Sequence, residues 1–336
     1  MKIVVLSQGP QLYSTRRLVS VARRRGHSVE VLNPLHLSLA IQEGRPVVYR
    51  RRRQIAAPDA VIPRIAASIT EYGLAVLRHF EAMGAVALNS SDAIERSRDK
   101  LRCLQLLSRR GAQMPDSAYS RDGYGAVEAL TAQPAPLALP NGWKNGRAGR
   151  ADGRRADAPL VVKRLKGTQG KGVLLAETPE IARSLLDAFN QVDEHALLQR
   201  FVAESAGRDV RVFVVGGQVA ACMERQAQTP GEFRSNLHLG GKARPIPLDR
   251  AVGRVALRAT RALGLSVAGV DVLISRRGPL VLEVNPSPGL EGIEGATGVN
   301  VAGRVIEQLE TLLAGKRRAR VRVRRGRRAG PVRYAG

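Results

Sequence analysis

Over its first ninety residues the chain alternates short apolar runs with amphipathic ones. Lys2–Leu6 reads as a buried strand, Tyr13–Arg25 as a helix closed by Gly26, and Ser28–Leu32 as a second strand. This β-α-β opening predicts a parallel sheet. Ala60–Pro63 continues it, then a helix over Tyr72–Met83 and a strand over Val86–Leu88. Ser90 and Ser91 are candidate caps for a following helix. A small α/β unit is expected to end near Ala93.

Further on, the pattern predicts a helix over Asp99–Arg110 and a strand over Met114–Tyr119. Residues 134–159 collapse into Pro, Gly, Ala, Asn and Arg, which reads as a flexible surface insert. Strands Leu160–Lys163 and Val173–Leu175 then flank a glycine loop. Thr178-Pro179 opens a helix reaching about Asn190, and Leu197–Phe201 is a strand. Asp209–Val215 and Gln218–Glu224 form a hairpin about Gly216-Gly217. Leu248–Leu263 has apolar positions three and four apart and predicts an amphipathic helix. A second hairpin pairs Val270–Ser275 with Leu280–Val284, and Val301–Leu313 is a last helix.

Composition narrows the classes. At 336 residues the chain has room for two or three domains, and with only 4% aromatics its core must rest on Leu, Val, Ala and Ile. No run approaches the roughly 20 apolar residues of a membrane span, and the opening MKIVVLSQG is too short for a signal-peptide core. Cys103 and Cys222 are isolated, which points to a reduced, cytoplasmic setting, and the His residues form no zinc-binding spacing. The net charge is +25; residues 316–336 hold ten Lys or Arg and no acid, leaving +15 on the rest. Such a tail reads as disordered and drawn to polyanions such as RNA or the ribosome, or as a solubility tail without function.

Candidate chemistry concentrates in the second hairpin, VDVLISRRGPLVLEVNPSPG. Glu283 and Asn285, two apart on one strand, project to the same side, and Asp271 lies near them in the obvious register. Hard oxygen ligands of this kind suit Mg²⁺ or Mn²⁺. The alternative is an ordinary hairpin with solvated carboxylates, although carboxylates on an apolar strand pair are costly to bury without a cation. Upstream, Gly167-Thr168-Gln169-Gly170-Lys171-Gly172 follows the strand that ends in Lys163. Glycines there let backbone amides approach phosphate oxygens. The spacing is not a Walker loop, and a GxGxxG fingerprint is absent from the first strand turn.

Taken together, SRDKLRCLQLL, PLVVK, GTQGKGV, FRSNLHLGG, AGVDVL and LEVNPSPGLEGIE closely resemble the RimK family of ATP-grasp ligases. The resemblance spans the chain except the insert and the tail. It implies an α/β fold: an N-terminal pre-ATP-grasp α/β domain (1–93) and a two-lobed ATP-grasp domain (94–315), within which composition sets the flexible 134–159 insert and after which it sets the disordered basic tail (316–336). It also implies ATP as a substrate and two Mg²⁺ or Mn²⁺ ions at Asp271, Glu283 and Asn285.

Residue by residue, Lys100, Lys163, Thr168, Gly170 and Gly172 match the phosphate site. Arg200 and Phe201 match the adenine hinge and Asp209 the ribose contact. Arg234, Ser235 and Asn236 match the rest of the nucleotide site, with Arg234 stabilising charge in catalysis. The hinge departs from the family in carrying Arg200 where Glu is usual. The implied activity is ATP-dependent addition of L-glutamate to the carboxyl end of a small-subunit ribosomal protein through an acyl phosphate. The partners implied are that protein, L-glutamate and further copies of the chain in a homotetramer; RNA or ribosome contact is expected from the charge of the tail. Two other readings are an amino-acid ligase acting on a small molecule or cofactor, and a non-catalytic RNA- or ribosome-binding protein.

Overall fold

A computed structural model of the chain describes residues 1–132, 158–165, 172–235 and 240–327, without the side chains of 319–327. The first domain sets β1 (Lys2–Ser7), α1 (Tyr13–Arg24) and β2 (Ser28–Leu32) in the expected β-α-β unit. A three-stranded antiparallel sheet follows: β3 (Leu37–Gln42), β4 (Arg45–Arg50) and β5 (Arg53–Ile55). It was hidden in the sequence because its turns are built from Glu43 (φ 49°), Gly44 (φ 72°) and Arg51 (φ 55°) rather than Asn-Gly. Next come β6 (Ala60–Arg64), α2 (Thr70–Ala82) and β7 (Val86–Ala87). They complete a parallel sheet of order β2-β1-β6-β7.

The helix predicted over Asp99–Arg110 is α4 (Lys100–Arg109), and the separate helix before it, α3 (Ser91–Arg98), is capped by Ser90 as expected. Asp99 adopts extended backbone between them, and its side chain accepts from the Arg102 amide at 2.9 Å, starting α4 afresh. β8 (Ser117–Ala118) is shorter than expected, and α5 (Tyr124–Thr131) was not foreseen. β9 (Leu160–Arg164), β10 (Val173–Ala176), α6 (Pro179–Gln191) and β11 (Ala196–Arg200) follow. The strands form an antiparallel sheet of order β10-β9-β11-β8. This lobe has its own core, in which Leu160, Val162 and Leu198 meet Val127, Leu130 and Leu186. The insert at 134–159 lies almost wholly outside the described residues.

The second lobe is one antiparallel sheet of order β14-β13-β12-β15-β16. Its strands are β12 (Arg208–Val215), β13 (Gln218–Gln226), β14 (Lys242–Pro245), β15 (Val267–Ser275) and β16 (Gly278–Asn285). Helix α7 (Arg250–Leu263) covers one face; Asp249 caps its start, and Gly264 at φ 73° ends it. α8 (Glu291–Thr297) and α9 (Val301–Arg327) close the chain. Phe213, Val215 and Val267 share one core with Ile3, Val5 and Ile62 of the parallel sheet and with Val305, Ile306 and Leu309 of α9. The first domain and the second lobe are therefore packed as a unit.

Helix α9 continues well past Leu313, so residues 316–327, expected to be disordered, are helical. The packed stretch before them supplies a nucleus, and adding turns to an existing helix costs little. Lys316 Nζ also donates to the carbonyls of Gly84 and Ala85 at 2.9 and 3.3 Å, tying the extension to the first domain.

Candidate active site

The β15–β16 ladder pairs Asp271 with Glu283 and Gly269 with Asn285. The register shifts between Asp271 and Val272. Paired residues share a face, so all three oxygen-bearing side chains lie on one side of the sheet. Asn285 Oδ1 accepts from the Ser287 amide at 2.9 Å, which turns the chain into the loop at Pro286–Gly289. Gly269 is required beneath that loop: a Cβ there would lie 2.8 Å from Pro288 Cβ.

The charged row continues onto the neighbouring strands. Arg211 on β12 pairs in register with Asp271, and Asp209 pairs with Arg225 on β13. Asp271, 5% exposed, is held by Arg211 through two guanidinium nitrogens and by Arg225 Nη2 at 2.8 Å. Asp209, 4% exposed, accepts from Arg225 Nε at 2.7 Å and from Ser235 Oγ at 2.6 Å. Burial opposes the charge on Asp271, but Arg211 and Arg225 outweigh it and hold its carboxyl below the usual range. Burial likewise opposes the charge on Arg225, and Asp271 and Asp209 hold it well above the ordinary arginine range. With both oxygens engaged, Asp209 is placed to orient Arg225 more directly than to meet a ribose.

Arg211 and Arg225 were missed in the sequence. The signal for Arg211 was the alternation Asp209-Val210-Arg211-Val212, which marks one polar face on a strand that otherwise looks like core; Arg225, in the run Glu224-Arg225-Gln226, had none.

Two lysines approach this row, Lys163 on β9 of the first lobe and Lys100 at the start of α4. Lys163 Nζ donates to Gln199 Oε1, and Gln199 Nε2 donates to Ser117 Oγ at 2.9 Å, so a buried carboxamide aims the ammonium. Burial pushes Lys163 down to about 8, with Glu283 working the other way and Lys100 adding to the fall. Lys100 donates to the carbonyls of Arg164 and Leu165 at 2.9 and 2.8 Å, at the entry to the glycine loop. Burial lowers Lys100 as well, again opposed by Glu283. Lys163 of the first lobe and Lys100 at the start of α4 thus both lie near the Glu283 carboxylate of the second lobe. Gly172, at φ 71°, closes the loop against Arg164, while Thr168 and Gly170 fall outside the described residues.

At the hinge, the Arg200 side chain turns away to donate to the Leu130 carbonyl at the end of α5, with Asp116 at 3.8 Å. The Phe201 ring meets Phe233 edge-on at 6.0 Å. Arg234 lies 5.7 Å from the Phe233 ring centroid and is held by Glu232 through Nε and Nη2 at 2.9 and 2.7 Å. Ser235 joins the Asp209 network, and Asn236 is not among the described residues.

Segment 97–100 stitches these parts together. Ser97 Oγ donates to the Val284 carbonyl, between Glu283 and Asn285, at 2.7 Å. Arg98 Nη2 donates to the Ile65 carbonyl at 2.7 Å, and Lys100 reaches the first lobe. Asn89 adds a buried clamp, donating to the carbonyls of Val267 and Pro286 and accepting from the amides of Ser266 and Val267.

The donor set fits a hard divalent cation. Glu283 is exposed and makes no ion pair among the described residues, and Asn285 adds a carboxamide, whereas Asp271 opposite is engaged by Arg211 and Arg225 and would join the set only as Arg211 releases it. The described residues hold no cluster of three His, Cys, Asp or Glu able to bind a metal, so the carboxamide is needed to complete the set.

Residues 1–94 match the family model of the RimK pre-ATP-grasp domain, and residues 152–309 that of the RimK-like ATP-grasp domain. A probable alpha-L-glutamate ligase of Aeromonas salmonicida is 50% identical over 310 residues, covering 92% of this chain and 96% of that protein. One from Serratia proteamaculans is 48% identical over 312 residues, covering 92% and 96%. Among solved structures, the ATP-grasp ligase PsnB complexed with its minimal precursor aligns at TM-score 0.67 with 21% identity, covering 93% of this chain and 98% of that one. A RimK domain protein from Sphaerobacter thermophilus aligns at 0.63 with 18% identity, covering 92% and 99%. At these identities the solved structures support the fold.

Proposed function

This chain belongs to the RimK family of ATP-grasp ligases, and on that premise we propose that it adds L-glutamate to the carboxyl terminus of a small-subunit ribosomal protein. As a family member it is an ATP-dependent carboxylate–amine ligase. The proposed course has two steps. An acceptor carboxylate oxygen attacks the γ-phosphorus of ATP, releasing ADP and forming an acyl phosphate. The glutamate amine then attacks the acyl carbon, phosphate leaves, and an amide bond remains. Neither step needs an enzyme nucleophile, so positioning and charge stabilisation carry the catalysis.

The observation that carries this reading is the row Arg225–Asp209–Arg211–Asp271–Glu283 facing Lys163 and Lys100 across the cleft. Lys163 and Lys100 would hold ATP phosphates, and Thr168, Gly170 and Gly172 of the glycine loop would add donors to them. Phe201 and the hinge backbone would line the adenine. Arg211 and Arg234 would offset charge on the transferring phosphoryl group. When bound, Mg²⁺ or Mn²⁺, taken here as two ions held by Asp271, Glu283 and Asn285, neutralises phosphate charge. Arg211 would shift from Asp271 to the phosphoryl oxygens as they arrive. The chain's net charge of +25 draws in an acidic carboxyl-terminal tail.

The test is ADP release measured across the twenty amino acids, with and without small-subunit ribosomal proteins. Release that depends on glutamate and on a ribosomal protein supports the reading. Equal release with every amino acid, or release that ignores the acceptor, counts against it.

A further inference from the structure

Two basic side chains outside the nucleotide row point to a separate task. Arg64 is the last residue of β6, at the carboxyl edge of the parallel sheet, where open α/β sheets bind ligands. Its Nη1 donates to the Pro288 carbonyl at 2.8 Å, and Ser287 Oγ donates to the Pro63 carbonyl at 3.0 Å. The loop following Asn285 is therefore fastened to this edge. Arg98 closes α3 and donates to the carbonyl of Ile65, the residue after Arg64, so its guanidinium is anchored to the backbone beside Arg64. Ser97, its neighbour, is bonded to the strand carrying Glu283 and Asn285.

The pair is held in an unfavourable arrangement. Burial and the nearby Arg98 charge push Arg64 down to about 10. Burial also lowers Arg98, relieved by Glu283. Arg98 Nε is buried and has no hydrogen-bond partner among the described residues. A buried guanidinium N–H without an acceptor is costly to keep. Neither arginine forms an ion pair within 4 Å among the described residues, although other buried cations of this sheet region do. Two like charges kept together with a donor unmet are suited to an anion that arrives from the cleft.

Resting on the ligase reading above, we infer that Arg64 and Arg98 form a carboxylate subsite, distinct from the phosphate-binding lysines, that holds the free carboxylate of an acidic amino-acid substrate beside the Glu283–Asn285 strand. That carboxylate belongs either to the incoming glutamate or to the acidic end of the acceptor. A planar guanidinium fork is matched to it, and a neutral amide analogue would leave the charge unanswered.

The experiment is steady-state kinetics on the full chain, varying ATP, glutamate and acceptor in turn for wild type, Arg98→Met, Arg98→Lys and Arg64→Met, with thermal melting of each. Arg98→Met and Arg64→Met are expected to raise one substrate KM by roughly tenfold to a hundredfold, while KM for ATP stays within about twofold. A rise for glutamate assigns the subsite to the incoming amino acid, and a rise for the acceptor assigns it to the growing tail. Arg98→Lys keeps the charge but loses the fork and moves the same constant by about three- to tenfold. Unmoved constants for glutamate and acceptor in the folded variants, or an equal rise for ATP, overturn the proposal. A wild-type enzyme with no glutamate-dependent ADP release overturns the ligase reading instead, so the two failures are distinguishable.

Discussion

Asp271 and Glu283 sit directly opposite each other in one β-ladder, yet their surroundings divide them. Asp271 is buried and clamped by Arg211 and Arg225, whereas Glu283 is exposed toward Lys100, Lys163 and Arg98. One carboxylate has its charge fixed by the protein, and the other is left available for incoming ligands.

Glu283→Gln keeps the shape and removes the charge. Because the side chain is exposed, stability should change by no more than about 0.5 kcal/mol. Turnover should fall by about a hundredfold to a thousandfold. ADP release and thermal melting measured on one preparation check both halves, and near-normal ADP release would count against the cation-binding role.

Arg225 serves two buried carboxylates, so removing it leaves uncompensated charge. Arg225→Met is expected to destabilise the chain by about 3–5 kcal/mol, read from denaturant unfolding. A loss under about 1 kcal/mol would show that Asp209 and Asp271 are balanced by other groups.

Lys163, pushed down to about 8 by burial, should make nucleotide affinity depend on pH. Protonated Lys163 attracts phosphate, so in the apo enzyme the ADP Kd should rise as pH increases from 7 to about 9. The linked effect on folding has the opposite sign. The unfolded lysine keeps its proton to higher pH than the folded one, so this group's contribution to stability improves as pH rises through about 8. Lys163→Met should flatten both dependences in calorimetric titrations and melts; unchanged slopes would contradict the assignment.

At the hinge, the family's usual Glu can be restored. Arg200→Glu removes the bond to the Leu130 carbonyl and sets a like charge near Asp116, a loss of about 1–3 kcal/mol. KM for ATP should change less than about threefold, because the Arg200 side chain already points away toward α5. A large gain in ATP affinity would show that the side chain contributes directly to the adenine site.

Much of this architecture could be read from the chain beforehand. The metal-type hairpin was legible because Asp271, Glu283 and Asn285 interrupt apolar strands at the period of a strand and a proline stop follows. The helices α1 and α6 carried a clear stop or cap, and α7 showed apolar positions three and four apart. What escaped depended on contacts distant in sequence. Ser97 bonds to Val284, Arg98 to Ile65, and Arg211 to Asp271, and no local pattern announces such partners. The β3–β5 sheet escaped because arginines occupy its turns and edges. The helical reach of α9 past Leu313 escaped because a charge run looks solvated, and the packing that nucleates the helix lies upstream.

The most direct measurement is intact-mass spectrometry of small-subunit ribosomal proteins incubated with the enzyme, ATP, Mg²⁺ and isotopically labelled glutamate, with the Glu283→Gln variant as control. The expected result is a ladder of labelled glutamate additions at the carboxyl terminus of one protein, absent in the control. Unchanged masses for every ribosomal protein, under conditions where the enzyme binds nucleotide and is folded, would contradict glutamate transfer to a ribosomal protein.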